Sequence, residues 1–262
     1  MDLGLAGKRA LVTGGSSGIG RACAVELARE SAQVCVVGRD RGRLEESVAL
    51  TREAGREGIS VAADLSTEAG CRSAFDACIE ALGGVDILVN SAGAAQPSPV
   101  LKMRPSEVSE ALELKLFSCL TLSQLVVPGM RERKWGRIVN IAGFAGANPD
   151  ANNLPTSFAN VAMMNLTRGL SDEVAGDGIL VNAVCPSRTN TPRTAARYRA
   201  QAERLGITIE EFLKRDVESF PAGRICEPEE VAKVVAFLAS EACTYVFGNA
   251  IYMDGGARRA TP

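Results

Sequence analysis

Eight residues near the N-terminus, Thr13-Gly14-Gly15-Ser16-Ser17-Gly18-Ile19-Gly20, have the types and spacing to hold a pyrophosphate. Lys8–Thr13 leads into them as a short buried strand, and Arg21–Ser31 follows with apolar residues at helical spacing (Ala24, Leu27, Ala28). A helix opening directly after such a turn presents unpaired N–H groups and a partial positive charge to an anion. Gly14, Gly18 and Gly20 let the backbone turn tightly and approach a ligand with no Cβ in the way. A glycine string carries this meaning only between a strand and a helix, which is its setting here.

Other chemistries are excluded by what is missing. The chain has no histidine, which removes Ser-His and Cys-His nucleophile schemes and the usual zinc sets. Its eight cysteines (Cys23, Cys35, Cys71, Cys78, Cys119, Cys185, Cys226 and Cys243) contain no C-x-x-C pair and sit mostly among apolar neighbours, so they read as small hydrophobes, with no metal site, in a reducing, cytoplasmic setting. A net charge of −2 with mixed signs and no basic run argues against nucleic acid. The acidic start, with no apolar run behind it, is unlike a signal peptide. The longest uncharged stretch, residues 151–167, holds four Asn and one Pro, so no membrane span is expected.

The elements that must carry the glycine turn alternate along the whole chain. Strand-like runs are Gln33–Val37, Ile59–Ala62, Asp86–Asn90, Gly136–Ile141, Gly178–Val184 and Ala250–Met253. Between them lie helical patterns at Arg43–Ala54, Thr67–Leu82, Pro105–Met130 (one long helix), Pro155–Gly176 and Glu227–Ser240. Near-continuous apolar strands separated by helices predict an α/β fold, a doubly wound parallel sheet with helices on both faces. No linker or repeat interrupts the 262 residues, so one domain is expected over 1–262. Residues 187–226 are polar and rich in Arg and Glu. They read either as a surface helical insertion or as a lid, since ligands sit beyond the C-terminal ends of such strands.

The motifs together resemble the short-chain dehydrogenase/reductase family, classical type, and in particular 3-oxoacyl-carrier-protein reductase-like members. Thr13–Gly20 looks like its T-G-x-x-x-G-I-G turn, and Asn90-Ser91-Ala92-Gly93 resembles N-N-A-G. Asp64-Leu65 matches the D-[LV] pair that contacts adenine. Asn182–Ser187 resembles N-x-x-x-P-G with Ser187 in place of glycine, and Thr191-Pro192 fits the following T-P. The tail from Arg224 through Glu227–Ala232 and Phe237–Ser240 to Asp254-Gly255-Gly256 is similar as well. The resemblance covers essentially the whole chain. It implies a seven-stranded Rossmann-type sheet and a homotetramer or homodimer. It also implies cofactor-binding positions at Gly14, Ser16, Ser17, Gly18, Ile19, Gly20, Arg39, Asp64, Leu65, Asn90, Ala92, Gly93, Asn160, Pro186, Thr189 and Thr191.

The end of the second strand chooses the nucleotide. An acidic residue there would accept from a ribose 2′-hydroxyl and repel a 2′-phosphate. Gly38 stands where NAD-preferring members carry Asp, and Arg39 follows. A guanidinium fork suits a phosphate, so NADP(H) is favoured over NAD(H), with stacking of Arg39 on adenine as the alternative.

The family's Asn, Ser, Tyr and Lys are all replaced. Matching Gly136–Gly146 to G-R-I-V-N-I-S-S-x-x-G puts Gly143 at the Ser, and matching Leu170–Glu173 to L-A-x-E puts Thr156 at the Tyr and Asn160 at the Lys. Lys115 stands at the Asn. Lysine and asparagine have therefore exchanged places, either as a coupled pair or with Lys115 directed elsewhere. Thr156 and Ser157 can orient a ligand but are poor general acids. A desolvated Lys115 can have its pKa lowered towards neutrality. Tyr198 either reaches in from the insertion or lies exposed on its helix, and Asn152 and Asn153 either bind a substrate oxygen or shape a turn. Arg193, Arg197, Arg199 and Arg204 are mixed with Glu203, Glu210 and Glu211, read as a solvated helix face with an anionic substrate as the alternative.

Catalytic candidates are thus Lys115, Thr156, Ser157 and Asn160. The expected function is an NADP(H)-dependent oxidoreductase with a non-standard site, acting on a small-molecule carbonyl, alcohol or activated double bond. The alternatives are a silent cofactor-binding scaffold, or a lyase or hydrolase on the same fold.

Overall fold

The computed structural model describes residues 2–93, 97–218 and 220–259. Seven parallel strands form one sheet: β1 (Arg9–Thr13), β2 (Gln33–Gly38), β3 (Ile59–Ala62), β4 (Ile87–Asn90), β5 (Gly136–Ile141), β6 (Ile179–Pro186) and β7 (Ala250–Met253). Their order is β3-β2-β1-β4-β5-β6-β7. The chain winds one way from β1 to β3 and then the other from β4 onward, so the sheet has a switch point between β1 and β4. A crevice opens there beyond the strand C-termini. Every predicted strand is present, with edges moved by a residue or two. β6 runs on through Pro186, beyond the expected end at Val184.

Helices cover both faces. They are α1 (Gly18–Arg29), α2 (Arg41–Glu53), α3 (Glu68–Leu82), α4 (Pro105–Leu112), α5 (Ser118–Arg133), α6 (Leu154–Val174), α7 (Pro192–Leu205), α8 (Ile209–Val217) and α9 (Pro228–Leu238). Strand alternation divides the core. Ala10 and Val12 of β1 point towards α1, α2 and α9, where they join Leu27, Leu44, Val231 and Val235. Leu11 points the other way, into a cluster with Cys71, Cys78, Leu122, Val126 and Met130 from α3 and α5. Each fully buried Val or Leu contributes about 1.5–3 kcal/mol of apolar burial, which explains why strands sandwiched between helices lack polar alternation.

Two helical expectations change. The long helix foreseen at Pro105–Met130 is two α-helices joined by a π-helical turn at Glu113–Phe117, and it continues to Arg133. By length and hydropathy, Pro105–Arg133 is also apolar enough to cross a bilayer, contrary to the expectation that no segment would be. Its buried residues Leu122, Val126, Val127 and Met130 pack into the core, whereas Phe117 and Leu120 stay exposed. The 187–226 segment, of which Ser219 lies outside the described residues, forms α7 and α8 beyond the end of β6.

Candidate active site

The glycine turn joins β1 to α1 at the switch point. Gly14 has φ +64°, and a Cβ there would stand 2.8 Å from the Ser91 carbonyl oxygen. A Cβ on Gly20 would fall 2.3 Å from the Gly14 carbonyl. The turn is therefore packed on itself and on the chain leaving β4, and only glycine fits. The Thr13 hydroxyl fastens the two loops together: it accepts from the Ser91 and Ala92 N–H groups at 2.9 and 3.0 Å and donates to the Val89 carbonyl at 3.4 Å. The first N–H groups of α1 receive no side-chain cap from Ser17, and the first turn carries no acidic residue. An uncapped 12-residue helix behind a glycine cradle suits a diphosphate, so the residues present fit a dinucleotide.

At the β2 end, a Cβ on Gly38 would stand 3.3 Å from the Ser16 side chain, so any side chain there would crowd Ser16. Arg39 is exposed beside this point. Asp64 accepts from the Ser66 N–H and hydroxyl at 3.1 and 2.8 Å. Those bonds, more than the nearby Arg39 charge, hold its carboxyl below the usual range. The Leu65 side chain belongs to the core, so any role at the crevice falls to its backbone. Asn90 donates to Asn140 Oδ1 at 2.9 Å, and Asn140 donates to the Thr167 hydroxyl at 2.9 Å, a buried network that ties β4 to β5 and α6. Pro186 ends β6, Thr189 is buried with its hydroxyl on the Ser187 carbonyl, and Thr191 caps α7 by accepting from the Thr194 N–H. The Thr191 methyl approaches Gly18, where a Cβ would be 3.1 Å away.

Lys115 and Asn160 converge on the end of β5. Lys115 sits in the π-turn, half-buried, and donates to the Ala142 carbonyl. Burial, aided by the Arg193 charge, brings its pKa down to about 8, with the Cys185 and Cys119 thiols opposing. Asn160 is buried against Gly143, where a Cβ would lie 2.8 Å from Asn160 Nδ2. Gly143 has φ +122°, a conformation that side chains disfavour. The glycine at the expected Ser position and the asparagine at the expected Lys position are thus sterically matched. Asn160 Oδ1 is buried with no hydrogen-bond partner among the described residues, an acceptor awaiting a donor.

Several expectations need correction. Ser157 is buried and bonds back to the Asn153 carbonyl at 3.3 Å, the usual resting place of a helical serine, so its hydroxyl serves the helix. Thr156, half-buried, donates to Asn153 Oδ1 at 2.8 Å, across the first turn of α6. Asn152 donates its N–H to Asp150 and shapes a turn. Tyr198 neither reaches the crevice nor lies exposed. It is buried, donates to Asp216 on α8, and has its phenol pKa raised by burial and that carboxylate. Asp216 also takes an ion pair from Arg188 at 2.5 Å, so this trio fastens α7 and α8 to the segment after β6.

Arg193, read from sequence as part of a solvated face, is exposed as that reading has it, and it also donates to the Gly93 carbonyl at 3.2 Å, across the crevice from its helix. A Cβ on Gly93 would touch Lys115 Cδ at 3.2 Å, so the aliphatic stem of Lys115 packs against the residue whose carbonyl takes the Arg193 guanidinium. The signal for Arg193 was its position two residues past Thr191, at the crevice end of α7.

The chain matches the family model described as enoyl-(acyl carrier protein) reductase over residues 14–258. A 3-oxoacyl-[acyl-carrier-protein] reductase of Aquifex aeolicus is 33% identical over 98% of this chain and 99% of its own. An acetoacetyl-CoA reductase of Rhizobium meliloti is 36% identical, covering 94% and 97% of the two chains. The L-sorbose reductase of Gluconobacter frateurii, solved with NADPH and L-sorbose, superposes with a TM-score of 0.96 over 100% of both chains at 32% identity.

Proposed function

The chain belongs to the short-chain dehydrogenase/reductase family and is an NAD(P)-dependent oxidoreductase, and on that premise we propose that it uses NADP(H) with Lys115 as the proton-transfer group in place of the absent phenol. The relatives are named oxidoreductases, which sets aside the scaffold, lyase and hydrolase alternatives. The preference for NADP(H) draws support from Gly38 and exposed Arg39, and from the NADPH bound by the sorbose reductase neighbour.

Gly14, Ser16, Ser17, Gly18, Ile19 and Gly20 would hold the diphosphate on the open end of α1. Asp64 and Leu65 would border adenine, while Asn90, Ala92, Gly93, Pro186, Thr189 and Thr191 would line the rest of the crevice. The buried acceptor of Asn160 would take a hydroxyl from the nicotinamide ribose. The bound nicotinamide supplies or accepts the hydride, and the protein supplies orientation and the proton. Thr156 borders the substrate end, and residues 187–226 act as the lid.

The observation that carries this reading is the Lys115 ammonium at the Ala142–Gly143 corner, with a pKa of about 8. A general acid is most effective when its pKa lies near the working pH. It would protonate the oxygen of a small-molecule carbonyl during reduction, or accept the proton during alcohol oxidation. An activated double bond is the other substrate this arrangement suits. Exposed Phe117, Leu120, Phe158 and Val161 on and beside α5 and α6 support a homotetramer or homodimer. The eight free cysteines support a cytoplasmic setting.

Lys115→Ala, assayed with NADPH across a carbonyl panel on which the wild type turns over, should lose turnover while its NADPH affinity by fluorescence titration stays unchanged. Full activity in that variant would remove Lys115 from the mechanism.

A further inference from the structure

The first two turns of α6 carry a stripe of neutral polar groups. Asn153, Thr156 and Asn160 stand at i, i+3 and i+7, which puts them on one face of the helix over about 10 Å. The inner end of the stripe is Asn160, 2% exposed against Gly143. Its Oδ1 has no partner among the described residues, and the reading above gives it to the nicotinamide ribose. Thr156 and Asn153, both half-buried, continue the stripe outwards. The Thr156 hydroxyl gives its proton to Asn153 Oδ1 at 2.8 Å and keeps acceptor capacity on its oxygen. Asn153 occupies the N-cap of α6, yet its side chain caps no N–H, and its Nδ2 group donates to nothing among the described residues. An unused amide donor therefore stands beside an unused hydroxyl acceptor. No charge accompanies them. Residues 151–167 hold no Asp, Glu, Lys or Arg, and the carboxylate just before them, Asp150, takes the Asn152 N–H at 2.9 Å.

We propose, resting on the redox reading above, that Asn153 and Thr156 are specificity-determining residues for a neutral, polyhydroxylated substrate, whose hydroxyls beside the reacting carbon are taken by Asn153 Nδ2 and Thr156 Oγ1. A hydroxyl both accepts and donates, so hydroxyls on neighbouring carbons satisfy the amide donor and the threonine acceptor together. An alkyl chain laid along the stripe would leave both groups unpaired and out of water. A carboxylate or phosphate would find one amide group and no cation on this part of the helix, which leaves its desolvation uncompensated. Lys115, the cation at the inner end, sits on the Ala142 carbonyl and is assigned above to the reacting oxygen. Threonine at the position of the family's phenol thus exchanges a proton donor for an acceptor.

The test uses the full chain with NADPH and four-carbon ketones: erythrulose, with hydroxyls on its other carbons, butanone, with none, and 2-oxobutanoate, with a carboxylate. Wild type, Asn153→Leu, Thr156→Val and Thr156→Ser are compared by kcat/KM. Each is also titrated, as its NADP+ complex, with erythritol, which has no carbonyl, by saturation-transfer NMR. Wild type should favour erythrulose. The erythrulose-to-butanone ratio should fall roughly 2- to 10-fold in Asn153→Leu and in Thr156→Val, the range for one neutral hydrogen bond. The loss should be carried by KM, erythritol binding should weaken in the same two variants, and Thr156→Ser should keep the wild-type ratio. An unchanged ratio in both variants would overturn the proposal, as would a wild type that prefers butanone or 2-oxobutanoate. A loss in kcat alone, equal for erythrulose and butanone, would assign the two side chains to the folding of α6 and overturn it as well. Reduction of no ketone, with erythritol binding that still depends on Asn153, would keep the polyol site and sink the redox reading. Reduction of butanone with no erythritol binding would do the reverse.

Discussion

If Lys115 transfers the proton, the pH dependence of turnover should report its depressed pKa. The ammonium has a pKa of about 8, against an ordinary lysine value of 10.5. At one unit below that value about nine-tenths of the groups carry the proton, and at one unit above about one-tenth do. Carbonyl reduction needs the protonated form, so its kcat/KM should be flat to about pH 7 and fall about tenfold per unit above pH 8–9. Alcohol oxidation needs the neutral amine and should rise to about pH 8 and then level. The assay is nicotinamide absorbance in both directions across the pH range, with buffers of constant ionic strength. Lys115→Arg should erase the limb, because a guanidinium stays charged throughout. The same shift affects stability. A lysine that binds its proton less tightly when folded destabilises the fold while charged, and that penalty is fully present below about pH 8. It is relieved as pH rises from about 8 towards 10.5. Lys115→Met should therefore unfold at higher denaturant at pH 7, by up to about 3 kcal/mol, with the advantage over wild type shrinking above pH 8. A limb near pH 8 that survives in Lys115→Arg, or a reduction rate that stays flat through pH 10, would refute the assignment.

The remaining predictions concern the groups around Lys115. Gly143→Ala should cost about 1–3 kcal/mol in chemical denaturation, from the positive φ and the contact with Asn160. Asn160→Ala added to it should recover only the contact part, so full recovery would deny that the backbone is strained. Arg39→Ala should lower NADPH affinity roughly tenfold or more, as expected for a charge-assisted bond, while sparing NADH. Equal losses for both would favour adenine stacking. Tyr198→Phe leaves the Asp216 carboxylate with Arg188 alone and should lower stability by about 1–3 kcal/mol. It should also speed proteolysis within 192–217, and an unchanged cleavage rate would mean the trio does not fasten the lid.

The parts of this molecule written in local sequence were the legible ones. Continuous apolar runs marked the central strands because a sheet buried on both faces has no polar side to show, while the edge strands β3 and β7, only partly buried, were marked by their short β-branched and aromatic runs. The glycine turn was legible because Gly14 and Gly20 are sterically forced within the turn and against Ser91. What escaped depended on contacts between distant elements. Arg193 reads as one charge among several until α7 is laid across Gly93. Tyr198 reads as a surface residue until Asp216, 18 residues on, is folded against it. The pairing of Gly143 with Asn160 joins a strand end to a helix interior and has no sequence period of its own. The π-turn at Lys115 is a change of one residue in helical pitch, below the resolution of a periodicity argument.

A crystal structure of the complex with NADP+ and a bound substrate analogue measures the decisive quantity, the separation between Lys115 Nζ and the analogue oxygen beside the nicotinamide ring. Lysine-mediated proton transfer predicts hydrogen-bond contact, about 2.6–3.2 Å. An ammonium held away on Ala142, with some tyrosine hydroxyl at that oxygen instead, would contradict it.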